Sequence, residues 1–329
     1  MRQNGARPRQ GAAVLTDPGH IMLPAIELMT ATWAGDMVQF ALLKASLARS
    51  GLSALRHHVV VQSEDLPAFQ TRHDTRGWRS TADLLPPEVE SARLRARDWQ
   101  QRLGRRGVRW AGSVAQRTGW PRWAHYLGWQ VQQISKLWMA RESRADYLLI
   151  LDSDVVATPR ARPDAMVNSD RITCPSTPRD TVRGKTARWQ AQAERLWQTD
   201  APAPVDAYFD TPFPLHTDTV RAMTDALERR YRRPWWVVML DQPPRVWSEF
   251  ATYRRFLRLH HGEGAVEWRA PTHTRYLSDA SDPERLKHQF EAGWWADDCH
   301  FITVHSPSSE RRPWTAEDFV PLLMPFVVL

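Results

Sequence analysis

At 329 residues, with 42% apolar and 25% charged side chains, the chain can bury a substantial core, which excludes disorder as its default state. Lys and Arg number 44 against 37 Asp and Glu; the formal charge of +7 favours anionic partners, whether nucleotide sugars, acidic glycans, anionic lipid surfaces or nucleic acid. Two cysteines without metal-type spacing, Cys174 and Cys299, exclude a disulfide framework or zinc site, and no apolar run approaches the roughly 20 residues of a membrane span. Residues 1–20 are basic, lack the apolar core of a signal peptide and read as a disordered lead; residues 21–329 read as one domain. A reduced thiol pair and a cytoplasmic protein are the corresponding expectations.

Residues 26–32 predict a first strand. Gly35 then allows a turn, and Asp36 can cap a helix reaching about residue 49 that is apolar nearly all round and therefore buried. Gly51 stops it, and residues 58–61 supply a second strand, the strand–helix–strand order of a nucleotide-binding half. Thr30 and Thr32 fall at the carboxyl end of the first strand, within reach of a base or ribose, although β-propensity alone also accounts for them. Residues 86–122 read as an insertion rich in arginine (Arg93, Arg95, Arg97, Arg102, Arg105, Arg106, Arg109, Arg117, Arg122) and in tryptophan (Trp99, Trp110, Trp120), with only Glu90 and Asp98 opposing. A solvated helix face is the commoner explanation of such a run; the functional one is an acceptor or anionic membrane surface. Residues 127–140 predict a helix with Leu127, Val131, Ile134 and Trp138 on one stripe, and with Gln132 and Lys136 facing outward together.

The stretch 147–159, YLLILDSDVVATP, organises the rest. An apolar run cut off by acids predicts a strand buried on both faces of a largely parallel sheet, with Asp152 and Asp154 at its carboxyl end, where open α/β sheets bind ligands. On an extended chain the two carboxylates point the same way and need a cation or a proton between them. A hard divalent ion such as Mg²⁺ or Mn²⁺ suits all-oxygen ligands and also binds phosphates.

Lys136-Leu137-Trp138 followed by Tyr147-Leu-Leu-Ile-Leu-Asp152-Ser-Asp154-Val is similar to the pattern of glycogenin and the bacterial galactosyltransferases. The wider chain, including Gly128-Trp129-Gln130-Val131-Gln132-Gln133 and Trp247-Ser248-Glu249-Phe250, looks still more like a bacterial family placed among the glycosyltransferase-A folds. The resemblance implies a Rossmann-like α/β domain with a mixed, mostly parallel sheet flanked by helices. It further implies a UDP- or GDP-sugar donor, Mn²⁺ or Mg²⁺ on Asp152 and Asp154, and a glycan or lipid-linked acceptor, as in polysaccharide biosynthesis. Lys136, Ser153, Thr30 and Thr32 would then attend the donor.

Further along, residues 171–174 predict a short strand, 188–198 a helix, 206–215 strand character around Tyr208-Phe209-Asp210, and 217–231 a helix buried through Val220, Met223 and Leu227. In the resembling families an Asn or Asp near the sugar precedes a small residue, which makes Asp210 a candidate although Thr211-Pro212 follows it. Residues 235–240 read as a strand. Asp241 and Glu249 fall where the resemblance places the acceptor: Glu249 could deprotonate an acceptor hydroxyl with Trp247 packing on its ring, or be merely a first-turn helix acid after the cap Ser248. Residues 300–304 predict the last strand, closing on His305, which the resemblance makes a third metal ligand that would favour Mn²⁺; a surface histidine is the competing reading, and Asp297, Asp298 or His300 could supply the ligand instead. Residues 319–329 are a final packed segment broken by Pro321 and Pro325. Two other readings compete. An apolar strand ending in Asp-x-Asp also describes a phosphohydrolase of the haloacid dehalogenase type, and the Arg- and Trp-rich segment could belong to a non-enzymatic binder of anionic surfaces or nucleic acid, although no nucleic-acid motif is present.

Overall fold

A computed structural model describes residues 24–119, 128–168, 170–177, 183–198, 208–243, 246–271, 274–277, 287–288, 290–293, 298–304 and 316–327. The basic lead, residues 120–127, His305 and Asp297 lie outside them.

The central sheet is built from β1 (Ile26–Thr32), β2 (His57–Val61), β3 (Arg79–Ser80), β4 (Tyr147–Ile150) and β7 (Phe213–His216), in the order β3-β2-β1-β4-β7. All pairings are parallel except that of the edge strand β7, which runs antiparallel to β4 with Phe213 opposite Ile150. The expected α/β class, a mixed and mostly parallel sheet between helices, is met by this topology. Every residue of β4 is buried because both of its faces are covered, as its unbroken apolar run requires. Leu148 and Ile150 join Met29, Ala31 and Val60 under α5 (Gly128–Glu142), α7 (Thr217–Tyr231) and α9 (Glu249–His260). Tyr147, Leu149 and Leu151 join Leu28, Val59 and Val61 under α1 (Met37–Leu47), through its Phe40, Leu43 and Leu47.

The chain runs outward from β1 through β2, α2 (Leu66–Gln70), β3 and α3 (Thr81–Leu84), then returns by α4 (Pro87–Thr118) and α5 to lay β4 on the other side of β1. The order of strands reverses there, so the carboxyl ends of β1 and β4 flank a crevice of the kind that takes ligands in open α/β sheets. Directly after Asp154, β5 (Val155–Ala157) enters a second sheet, β5-β10-β9, with β9 (Thr274–Leu277) and β10 (Phe301–Val304). A two-stranded sheet pairs β6 (Ile172–Pro175) with β8 (Val266–Arg269), and α6 (Lys185–Trp197) packs on α9.

The described part of the arginine-rich segment is the helix α4, turned at Gly104 (φ 66°, ψ 176°), and it walls a cavity. Other expectations are corrected. Residues 208–210 form no strand; β7 starts at Phe213. Residues 235–240 are the helix α8, whose buried Trp235, Val238 and Met239 recur at helical spacing; so short an apolar run does not by itself separate strand from helix. Pro321 and Pro325 lie within the final helix α10 (Ala316–Val327) rather than breaking it, because Phe319, Leu323 and Phe326 share one face packed near Leu42 of α1.

Candidate active site

The site grows from the carboxyl ends of β1 and β4. β4 stops at Ile150, and residues 153 and 154 turn, with Val155 N donating to Asp152 O (3.1 Å). The period of two therefore does not apply to Asp152 and Asp154, yet their carboxylates remain electrostatic neighbours. Burial, with Asp152 and then Asp36 nearby, pushes the Asp154 carboxyl up to about 8. Its Oδ1 is buried and has no hydrogen-bond partner. Burial likewise raises Asp36 to about 6, against a hydrogen bond from Trp33 and with help from Asp152. Asp36 was expected to cap α1; its side chain makes no capping bond and joins the carboxylate cluster instead. Three acids thus approach one another at the point where the sheet order reverses, and the third was findable in the sequence as an acid just past the end of the first strand.

Lys136 is the next part. It was expected to face solvent beside Gln132, but it is buried on α5, with Nζ 2.8 Å from Asp152 Oδ1 and 3.2 Å from Glu249 Oε1. Burial works against its charge, and the two carboxylates more than offset this, so its pKa rises. Glu249 opens α9 after Ser248, whose hydroxyl accepts from Phe250 N; the first-turn position and the functional position are one and the same. Glu249 is buried, which pushes its pKa up although Lys136 opposes. Gln133, one turn before Lys136, accepts from Glu249 N through Oε1 (2.9 Å) and so sets where α9 begins. That residue was not singled out from the sequence; the i, i+3 spacing to Lys136 was the available signal.

The remaining candidates are placed differently from one another. Ser153 Oγ donates to Thr32 Oγ1 (3.0 Å), tying the acidic turn to β1. Thr30 is fully buried and bonded to His57 Nε2 (2.9 Å), so it faces the interior of the sheet. Asp210 is exposed and precedes Thr211, whose hydroxyl accepts from Asp152 N (3.3 Å); the antiparallel run of β7 delivers it to this end of the sheet. Asp241 is held by Arg233 at 2.5 Å. Trp247 is buried against Trp129, with ring centroids 6.5 Å apart, which leaves Trp129 the more open of the two rings. His305 is outside the described residues, but the strand before it ends with Val304 N donating to Asp154 O (2.8 Å).

A cavity of about 630 Å³ opens beside the acids, lined by Thr32, Trp33 and Asp36 from β1 and its loop, Gln62 after β2, Arg93, Arg97 and Gly104 of α4, and Trp129 and Gln132 of α5. That is ample for a small organic ligand. Its arginine wall is not free charge. Arg93 bonds Glu90 and Glu64, Arg97 bonds Glu64 and Asp65, and Asp65 accepts from Ala34 N (3.0 Å). Burial would raise Glu64, but the hydrogen bond from Arg93 holds it down at about 2. The expectation that only Glu90 and Asp98 oppose these arginines missed Glu64 and Asp65, which are some 30 residues away in sequence. Gly35 is constrained as well: a Cβ there would stand 2.3 Å from the Trp33 indole, which folds over it at the cavity edge.

Among the described residues no three His, Cys, Asp or Glu side chains form a ready metal cage. The donor set nonetheless fits a hard divalent ion. An orphaned carboxylate oxygen, two like-charged neighbours and an adjoining cavity match the usual Mg²⁺ arrangement of one or two carboxylates plus a substrate phosphate.

The sequence profile of DUF6492, a family of unknown function, matches residues 86–306. No curated protein matches the chain. Among solved structures, the galactosyltransferase LgtC in complex with donor and acceptor sugar analogs is 13% identical, covering 92% of this chain and 97% of its own, with a TM-score of 0.46. Mouse xyloside xylosyltransferase 1 is 11% identical over 84% of this chain and 97% of its own, at 0.43. The glycosyltransferase GlyE of Streptococcus pneumoniae is 10% identical over 93% of this chain and 60% of its own, at 0.40.

Proposed function

We propose that this chain, which belongs to the DUF6492 family, is a metal-dependent glycosyltransferase that moves a sugar from a nucleotide-diphosphate donor to a hydroxyl acceptor. One observation carries the reading: Asp154 keeps a buried carboxylate oxygen without a hydrogen-bond partner, with Asp152 and Asp36 as electrostatic neighbours, and Asp36 lines a cavity of about 630 Å³. Such a cluster is relieved by a cation. Asp152 and Asp154 would hold Mn²⁺ or Mg²⁺, which when bound supplies Lewis-acid stabilisation of the leaving diphosphate.

The chain's own residues do the rest. Thr32 and the cavity beyond it receive the nucleoside of a UDP- or GDP-sugar, with Ser153 holding the acidic turn against that wall. Lys136 fixes Asp152 and Glu249 relative to each other, with its charge between them. Glu249 takes the proton of the acceptor hydroxyl in an inverting reaction, and its raised pKa suits that task. In a retaining reaction it orients the acceptor instead. Asp210 and Asp241 would serve the acceptor. The acceptor is a glycan or a lipid-linked sugar.

Isothermal titration of UDP- and GDP-sugars, with and without Mn²⁺, tests the proposal. One of these donors should bind only with the metal, and Asp154→Asn should abolish the metal's contribution. Donor binding indifferent to Mn²⁺ and to EDTA would overturn it.

A further inference from the structure

The second half of α4 is unlike the rest of the surface. Up to Gly104 the helix is stitched into the molecule through Arg93 and Arg97. Beyond it, Val108 and Ala111, 3% and 4% exposed, hold one side of the helix to the protein. The opposite side presents Arg106, Trp110 and Arg117, spaced four and seven residues apart and hence on one stripe, all exposed. Trp110 is 71% exposed, and Leu103, at the turn, 47%. A tryptophan left that open gives up its apolar burial to water.

Charge points the same way. Residues 99–118 contain Arg102, Arg105, Arg106, Arg109 and Arg117 and no Asp or Glu. Arg102 is answered by Asp98, one turn earlier (3.1 Å), whereas no carboxylate among the described residues pairs with Arg106 or Arg117. A helix face joining unpaired arginines to an exposed indole is built for an interface that is anionic at its surface and apolar just beneath, and a bilayer with anionic headgroups is such an interface. Nucleic acid or a free phosphate would use the arginines, but would give an indole projecting from a helix on the outer surface a weaker reason to be there. No helix of the described residues is long and apolar enough to cross a membrane, so the contact would lie in the plane of the surface.

We infer that the face of α4 carrying Arg106, Trp110 and Arg117 docks on an anionic lipid bilayer. Gly104, Gln100 and Gln101 line the cavity, so this half-helix leaves the molecule at the cavity wall and docking sets the cavity close to the membrane plane. The inference does not depend on which reaction the cavity serves.

The test is flotation of the full chain with vesicles of phosphatidylglycerol and phosphatidylcholine, or of phosphatidylcholine alone. Binding is expected only with phosphatidylglycerol and should weaken as salt rises. Each arginine near an anionic surface is worth about fivefold in partitioning, so R106Q/R117Q should lose roughly 25-fold while R106K/R117K keeps the parent value. Trp110→Ser should lower binding and leave its salt dependence unchanged. All three variants change exposed side chains and should keep the parent thermal midpoint. Absence of binding to phosphatidylglycerol vesicles at low salt, equal binding by R106Q/R117Q, or tighter binding to a single-stranded oligonucleotide than to the vesicles at the same salt would overturn the assignment.

Discussion

Lys136 is a buried cation shared by two carboxylates. Its ammonium lies between Asp152, whose side chain keeps about a third of its exposure, and Glu249, which keeps almost none. Removing one partner of a buried pair leaves the other charge uncompensated and typically costs ~3–5 kcal/mol, whereas removing both is far milder. Lys136→Met should therefore destabilise the protein by about that amount in urea unfolding, and K136M/E249Q should recover a large part of it. Equal losses in the single and double variants would mean that the pair is not coupled. The residue was singled out from the sequence, but its environment was not legible there: the helical period that placed it beside Gln132 on an outward face carries no information about α9, which closes over that face from 113 residues away.

Among the elements, α4 has the most exacting backbone. Gly104, at φ 66° and ψ 176°, occupies a region of dihedral space open almost only to glycine, so Gly104→Ala should cost ~1–3 kcal/mol. The same change should reorient the half-helix that follows, which would register as weaker vesicle flotation at unchanged lipid composition. The elements also separate what sequence can disclose from what it cannot. β1, β4, β10 and α7 were readable because each buries its own pattern: an unbroken apolar run in β4, short runs of apolar residues with β-favouring threonines in β1 and β10, and Val220, Met223 and Leu227 at helical spacing for α7. α8 and β7 were misread because a six-residue apolar run and a Pro-containing edge strand take their conformation from neighbours. The acidic turn was found because its residues adjoin in sequence. Asp36 and Gln133 left local signals that were not read as part of the site, whereas the Glu64–Arg93 wall left none, because only the fold brings those residues together.

For the whole molecule, buried groups tilt stability with pH in opposite senses, as His57 and Asp154 illustrate. Burial depresses His57 from 6.5 to about 4, so the unfolded chain binds the extra proton and stability falls as pH drops from 6.5 towards 4. Asp154 is raised from 3.8 to about 8, so the native state holds the extra proton and stability falls as pH rises towards 8. Between about pH 6.5 and 8, above both the ordinary histidine value and the raised value of Asp36, Asp154 still holds its proton. Thermal midpoints of the metal-free protein should decline across that window, Asp154→Asn should flatten the decline, and saturating Mn²⁺ should raise the midpoint more at pH 8 than at pH 6.5; a metal-free profile that is flat there would contradict the cluster. The strand order β3-β2-β1-β4-β7 carries one more consequence. The cavity wall runs from Ala31 to Ser135, whereas the second carboxylate on Lys136 is Glu249. During translation the lysine therefore has Asp152 as its one possible partner of the two until the start of α9 has left the ribosome.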